Sequence, residues 1–148
     1  MAQLIVNVDV NDLERAVRFY TSALGLRVGR RFGSEVAELL GAETSIYLLL
    51  AAEGTTPFAR QDPAASTPGQ GSAARDYRRH WTPVHLDFAV DDLDASVEQA
   101  LAAGARLELP ISQRKWGRLA VLADPFGHGF CLLQFVGRGY DELATSSG

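Results

Sequence analysis

The chain has 148 residues, of which 47% are hydrophobic and 22% are charged, proportions that are typical of a folded globular domain and not of a disordered chain. Its net charge is −4, and its 14 basic residues are not gathered into one stripe, so we expect no nucleic-acid partner. No basic segment opens the sequence, no apolar run approaches the roughly 18 residues that cross a bilayer, and the single cysteine excludes an intrachain disulfide, so we expect a cytoplasmic protein without a membrane partner.

The first third of the chain predicts a strand, a helix and three further strands. Residues 4–10 alternate in polarity, as a strand does. Apolar side chains then recur on one helical stripe, at Leu13, Val17, Tyr20 and Leu24. Asn11 or Asp12 is the expected N-cap of this helix, and Gly25 is its expected end. Three strands are predicted after it, over residues 26–32, 34–40 and 44–50.

The same order of elements returns in the second half of the chain. Residues 10–17 recur as residues 90–97, an offset of 80, and a repeated unit defines an architecture more firmly than local propensity does. The second helix carries an apolar stripe of Leu93, Val97, Ala100 and Leu101, with Asp91 or Asp92 as its cap and Gly104 as its end. Its three following strands are predicted over residues 106–113, 118–123 and 129–136, the last two joined by a turn at residues 124–127.

These patterns predict an α+β protein of two βαβββ modules, over residues 1–52 and 81–137. Residues 53–80 between them are rich in proline and glycine, and we interpret them either as a linker or as a lid over a site. Residues 138–148 form a polar C-terminal tail.

Alternation assigns the two faces of the first strand of each module. The apolar set is predicted to lie under the helix, and it consists of Leu4, Val6, Val8, Val10, Val84, Leu86, Phe88 and Val90. The opposite face carries polar groups, and it consists of Ile5, Asn7, Asp9, His85, Asp87 and Ala89. Such a face either meets solvent or curves around a cavity with a few placed polar groups.

Three segments together resemble one family. Residues 10–26, 84–93 (VHLDFAVDDL) and 124–132 (DPFGHGFCL) are similar to the vicinal oxygen chelate superfamily, which holds the glyoxalase I, bleomycin resistance and extradiol dioxygenase groups. The second half is most similar to the glyoxalase-like subgroup. The resemblance implies two modules that form a cupped, incomplete mixed-sheet barrel, and it implies a homodimer.

The resemblance also implies positions for a catalytic metal, on the first and last strands of each module. In this sequence they fall on Ile5, on Tyr47 or its neighbour Leu48, on His85 and on Cys131. Only His85 is a usual ligand there. We therefore predict no metal cofactor, with one divalent ion that uses His85 as the alternative.

The resulting functional prediction is a glyoxalase-like or bleomycin-resistance-like protein with a degenerate metal site. It would bind or sequester a small, partly aromatic ligand in the cupped sheet. The predicted ligand-binding residues are Ile5, Asn7, Tyr47, His85, Asp87, Trp116 and Cys131. The alternatives are a metal-dependent lyase, isomerase or dioxygenase that uses His85, and a module that serves only in dimerisation.

Overall fold

The computed structural model of the chain describes residues 1–55, 74–80 and 82–145. Most of the predicted linker or lid, residues 56–73, lies outside the described residues. In the described part, no helix has both the length and the apolar character needed to span a membrane.

The elements are, in chain order, β1 (Val6–Val10), α1 (Leu13–Leu24), β2 (Arg27–Phe32), β3 (Val36–Leu40), β4 (Ile46–Leu50), β5 (Leu86–Ala89), α2 (Leu93–Ala103), β6 (Arg106–Arg114), β7 (Gly117–Ala123), β8 (Gly129–Phe135) and a 3₁₀ helix at Gly139–Glu142.

Each module builds one four-stranded mixed sheet. The strand orders are β1-β4-β3-β2 and β5-β8-β7-β6. In each sheet the first strand pairs in parallel with the last, and the other pairs are antiparallel. The two sheets remain separate rather than closing into a barrel. The predicted α+β class with two βαβββ modules is confirmed.

Both helices begin and end at the residues that the sequence offered. The Asp12 side chain accepts a hydrogen bond from the Arg15 amide at 2.9 Å, and the equivalent aspartate caps α2. Gly25 ends α1 with a φ of 65°, a left-handed conformation that glycine adopts without the steric penalty of a side chain. These caps give hydrogen-bond partners to amides that have none inside the helix, so the repeated aspartate stabilises the start of the helix in both modules.

The core lies between the helices and the sheets, where α1 also packs against α2. The predicted alternation is confirmed within the strands, since Val10 is fully buried and Asn7 is exposed. Leu4 and Val84 are 68% and 74% exposed, so their assignment to the core was wrong. Both precede the first strand residue of their module, where the paired backbone no longer directs them under the helix. Leu101 is 41% exposed, because the position after Ala100 is rotated about 100° from the buried stripe.

A buried hydrogen bond joins the two modules. The hydroxyl of Tyr20, on α1, donates to Oδ2 of Asp124, in the turn between β7 and β8. Oδ1 of Asp124 accepts from the amides of Phe126 and His128 at 2.8 and 2.9 Å. Asp124 therefore holds the predicted turn and anchors it to the first module.

Candidate functional site

An open cavity lies between the facing edges of β1 and β5. It has a volume of about 610 Å³, and we call it the central cavity. Its apolar wall includes Val6, Val8, Tyr20, Leu86, Phe88 and Phe130. Its polar groups include Asn7 and Asp9 from β1, His85 just before β5, and His80 and His128. Both modules therefore contribute side chains to one cavity of the size that ligand pockets have.

Three groups that could hold a metal ion converge beside this cavity. His85 Nε2 lies 3.3 Å from Asp87 Oδ1, and Asp87 is paired with Cys131 across β5 and β8. The ligand atoms of His85, Asp87 and Cys131 all lie within 4.8 Å of one another. Partial burial, with a smaller contribution from the Asp87 charge, raises the pKa of the Cys131 thiol to about 11. This cysteine is therefore protonated at neutral pH, which agrees with the inert thiol of a strand interior.

The equivalent place in the first sheet carries a different polar network. Register places Tyr47 opposite Asn7, as Cys131 lies opposite Asp87, so Tyr47 and not Leu48 is the counterpart of Cys131. The Tyr47 hydroxyl donates to Glu38 Oε1 at 2.7 Å and also accepts from Arg30 at 2.7 Å. Every polar atom of this tyrosine is thus engaged within the protein.

Glu38 is the centre of that network, and sequence reasoning missed it. It is 3% exposed and accepts from both the side chain and the backbone amide of Arg30, at 2.6 to 2.9 Å. The Arg30 guanidinium lowers the pKa of Glu38 to about 2, helped by the backbone amide and Tyr47. The available signal was a lone carboxylate inside the apolar segment VAELL, which requires a cationic partner when buried.

Residues 74–80, which we call the strap, lie across both modules. Arg75 Nε donates to Asp9 Oδ2 at 2.8 Å, and the Tyr77 hydroxyl donates to the Ala51 carbonyl at 2.7 Å, both in the first module. Arg79 Nε donates to Glu108 Oε1 at 2.7 Å, in the second module. The strap supplies Arg79 and His80 to the wall of the central cavity.

The predicted ligand-binding residues are only partly gathered in one place. Asn7, His85 and Cys131 line the central cavity. Asp87 lines a second cavity of about 750 Å³ toward the other end of the β1 and β5 edges. The described linings of both cavities omit the other three predicted residues, which are Ile5, Tyr47 and Trp116.

Trp116 lies in a separate aromatic cluster. Its ring centroid is 6.0 Å from that of Phe135 and 5.0 Å from that of Tyr140, in the 3₁₀ helix of the predicted tail. The tail is thereby fastened to the hairpin of β6 and β7. Its sequence is too polar overall to reveal this single aromatic contact.

The four positions that the resemblance assigns to a divalent metal do not fit one. Ile5 has no donor atom. The Tyr47 phenol is held by Glu38, which raises its pKa above the usual 10, so a phenolate ligand is disfavoured. The raised pKa of the Cys131 thiol makes the loss of its proton to a metal more costly than at an ordinary cysteine. One imidazole, at His85, remains, whereas an open catalytic site uses about three protein ligands.

Comparisons with known proteins agree on the family. A family model described as a glyoxalase-like domain matches residues 5–133. The Mycobacterium bovis protein Mb0911c, itself uncharacterized, is 31% identical over 129 residues, which cover 86% of this chain and 79% of that protein. The putative glyoxylase CFP32 of the same organism is 45% identical over 56 residues, 37% of this chain and 20% of that protein.

Solved structures share the fold at lower identity. A glyoxalase/bleomycin resistance protein/dioxygenase family enzyme from Burkholderia phytofirmans has a TM-score of 0.66 and 22% identity, with 91% of this chain and all (100%) of that chain covered. The fosfomycin resistance protein FosX from Listeria monocytogenes has a TM-score of 0.67 and 16% identity, with 97% and 98% covered. With the family match over residues 5–133, the chain belongs to the glyoxalase-like domain family of the vicinal oxygen chelate superfamily.

Proposed function

We propose that this protein binds a small, partly aromatic molecule in the central cavity and does not perform the metal-dependent chemistry of its catalytic relatives. The observation that carries the proposal is the cavity itself, about 610 Å³ between β1 and β5. Ligand pockets of this kind have volumes of roughly 300 to 1,000 Å³ and combine an apolar wall with a few directional polar groups.

The wall of the cavity favours an aromatic ligand. Phe88 and Phe130 meet edge to face, with ring centroids 6.2 Å apart, and both line the cavity. An aromatic ring that enters beside them can add a further edge or offset contact. Asn7 offers an amide that both donates and accepts, and His85 offers an imidazole. An aromatic ring with a polar substituent would therefore find both an aromatic wall and hydrogen-bonding partners in the cavity.

The degenerate donor set supports binding over catalysis. A divalent metal would polarise a ligand oxygen, but Ile5 has no donor atom, and Tyr47 and Cys131 would each have to lose a proton whose pKa is raised. The protein would then hold its ligand by shape and hydrogen bonding alone. Sequestration of the ligand without catalysis, which the resemblance to bleomycin resistance proteins implies, is the corresponding activity.

One observation favours a second candidate, a metal-dependent lyase, isomerase or dioxygenase. The atoms of His85, Asp87 and Cys131 that lie within 4.8 Å of one another form a possible three-residue site. All three residues are also predicted ligand-binding residues, so the two candidates share these side chains and differ in the presence of an ion. Against this candidate, the side chains of His85 and Asp87 are 61% and 38% exposed, and the pKa of the Cys131 thiol is raised.

A binding experiment separates the two candidates. The probe is 8-anilinonaphthalene-1-sulfonate, titrated by fluorescence against the folded protein, the variant Val8→Phe and the control Val28→Phe. Val8 lines the cavity, whereas Val28 lies on the exposed edge strand β2. We expect saturable binding of one probe per chain, at least about tenfold weaker in Val8→Phe and unchanged in Val28→Phe.

The same preparation is titrated with Zn²⁺, Fe²⁺ and Ni²⁺ by calorimetry. We expect no stoichiometric ion. Equal affinity of the probe for the wild type and Val8→Phe would place binding elsewhere and refute the proposal. One ion per chain, lost in His85→Ala, together with ion-dependent turnover of a glyoxalase or dioxygenase substrate would establish the second candidate.

A further inference from the structure

Two histidine rings form a continuous hydrogen-bonded chain in the wall of the central cavity. His80 Nδ1 lies 3.1 Å from the Arg78 carbonyl oxygen, within the strap. His80 Nε2 lies 3.0 Å from His128 Nδ1, in the turn before β8. His128 Nε2 lies 2.7 Å from the Asp9 carbonyl oxygen, on β1. The chain thus runs from the strap through the second module to the first.

The protons of this chain can be counted from its two ends. A carbonyl oxygen only accepts, so His80 Nδ1 and His128 Nε2 must each carry a hydrogen. A neutral imidazole has one such hydrogen. Two neutral rings would therefore face each other with bare lone pairs on His80 Nε2 and His128 Nδ1, 3.0 Å apart.

Full protonation is no better. With both rings cationic, two N–H groups and two positive charges would face each other at that same distance, which is unfavourable in a partly buried wall. Only one hydrogen between the two inner nitrogens makes all three contacts attractive. The pair then carries three hydrogens on four nitrogens and a net charge of +1.

We propose that His80 and His128 form a proton-binding site, holding a single hydrogen between Nε2 of the first and Nδ1 of the second, and that this hydrogen fastens the strap to both modules. The site differs from the four metal positions of the family and does not depend on the proposed ligand. The only other described contact between His80 and the β7–β8 turn is its amide, which donates to the Gly127 carbonyl at 3.1 Å.

The charged groups around the pair are compatible with one positive charge. On β1, the Asp9 carboxylate is paired with Arg75. In the turn, Asp124 accepts from the His128 amide and from Tyr20. The remaining neighbours are Asp76 paired with Arg78, Arg79 paired with Glu108, and His85 on the same cavity wall. Among the described residues, each of these carboxylates has a cationic or hydrogen-bonding partner of its own.

The number of hydrogens between the rings decides how firmly the strap is held. With one hydrogen between His80 Nε2 and His128 Nδ1, the contact is attractive. With none or with two, the contact between His80 and His128 becomes repulsive, and the strap loosens from the cavity wall.

The first test observes the protons directly. The chain has three histidines, so ¹⁵N-histidine labelling with His85→Gln and His80→Gln for assignment identifies every ring by NMR. We expect His80 Nδ1 and His128 Nε2 to be protonated and the two inner nitrogens to share one hydrogen, with a coupling across the N–H···N bond. Two neutral rings without that coupling, or two cationic rings, at every pH from 5 to 8 would overturn the proposal.

The second test measures how firmly the strap is held against the cavity wall. Hydrogen exchange of the residue 80 amide, corrected for the intrinsic rate, reports the opening of the strap. We expect protection to be about tenfold lower in His80→Ala than in the wild type, the size of one lost hydrogen bond. His80→Gln should keep most of the protection, because a side-chain amide can donate to His128 Nδ1 without an added proton, and the control His85→Gln should keep all of it.

The same samples contain the refuting results. Equal protection in the wild type and His80→Ala would mean that the pair does not hold the strap. A transition metal found between the rings by metal analysis and removed by a chelator with loss of protection would replace the proton by an ion. If His80→Gln fails to fold, the NMR measurement on the wild-type chain still decides.

Discussion

The hydrogen bond between Tyr20 and Asp124 joins residues 104 positions apart and ties helix α1 to the turn before β8. Both residues are buried, at 4% and 6% exposure. Replacing Tyr20 by phenylalanine removes only the hydroxyl. The ring keeps its edge-to-face contact with Phe19, at a centroid distance of 4.9 Å, so the change isolates the bond from the packing.

The expected loss can be worked from the remaining contacts. A hydrogen bond to a charged group contributes about 1.5 to 3 kcal/mol, and its loss leaves a buried carboxylate oxygen without that donor. Oδ1 of Asp124 keeps both of its backbone amides, so the turn itself should persist. We expect Tyr20→Phe to lower the free energy of unfolding by about 2 kcal/mol, and the melting temperature by about 4 to 8 °C for a chain of this length.

Urea denaturation followed by circular dichroism measures this loss, with an unchanged m value as the sign that only stability changed. Tyr140→Phe is the matched control, because Tyr140 is 51% exposed, and it should stay within about 0.5 kcal/mol of the wild type. A loss below about 0.5 kcal/mol in Tyr20→Phe as well would refute the view that this bond couples the modules.

The same bond predicts an alkaline titration. Burial, followed by the Asp124 charge and hydrogen bond, raises the pKa of Tyr20 well above its usual 10. Because the folded-state pKa is the higher one, the contribution of the neutral phenol is complete below pH 10 and is lost as pH rises through the folded-state value. Ultraviolet difference spectra near pH 10 should therefore be the same for Tyr20→Phe and the wild type while both remain folded.

Three further predictions concern other residues. Arg30 lowers the folded-state pKa of Glu38 from 4.5 to about 2. The contribution of the Glu38 carboxylate to stability is therefore complete above pH 4.5 and is lost as pH falls toward 2. In thermal melts from pH 6 to 2.5, Glu38→Gln should reduce this loss of stability at acid pH. A rise in the pKa of Cys131 from 9.0 to about 11 lowers its thiolate fraction about a hundredfold, so Ellman's reagent should label the folded protein at pH 8 far more slowly than the urea-unfolded chain. Gly127→Ala should destabilise by at least about 2 kcal/mol more than Gly33→Ala, because both glycines have positive φ but an added Cβ meets the Arg78 carbonyl only at Gly127; equal urea midpoints would contradict this.

The fold was predictable because its information is local and is present twice. Helix periodicity, an aspartate cap such as Asp12 or Asp92 and a terminal glycine such as Gly25 or Gly104 each act within a few residues. Strand alternation then orients side chains across each sheet. The repeat at an offset of 80 joins these local statements into one architecture, and the structure has the predicted elements within about two residues.

The polar contacts of the candidate site could not be predicted in the same way. Glu38 is 8 residues from Arg30, but Arg75 meets Asp9 from 66 residues away, and His128 reaches the Asp9 carbonyl from 119 residues away. Such contacts exist only once both sheets and the strap are assembled. The homodimer and the cytoplasmic location remain predictions, because the structure of a single chain does not test oligomeric state or location in the cell.

The two modules show how one fold can keep its shape while its two equivalent positions diverge. In the first module, the Tyr47 hydroxyl is bonded to Glu38 and Arg30, which consumes its polar atoms and leaves nothing to offer a ligand. In the second module, the imidazole of His85 is 61% exposed and lies 3.3 Å from the carboxylate of Asp87. A satisfied network stabilises the sheet that carries it, whereas an exposed donor is available for recognition. The binding energy of the proposed ligand should therefore come mainly from the second module and from β1, and strands β2 to β4 of the first sheet should serve chiefly as support.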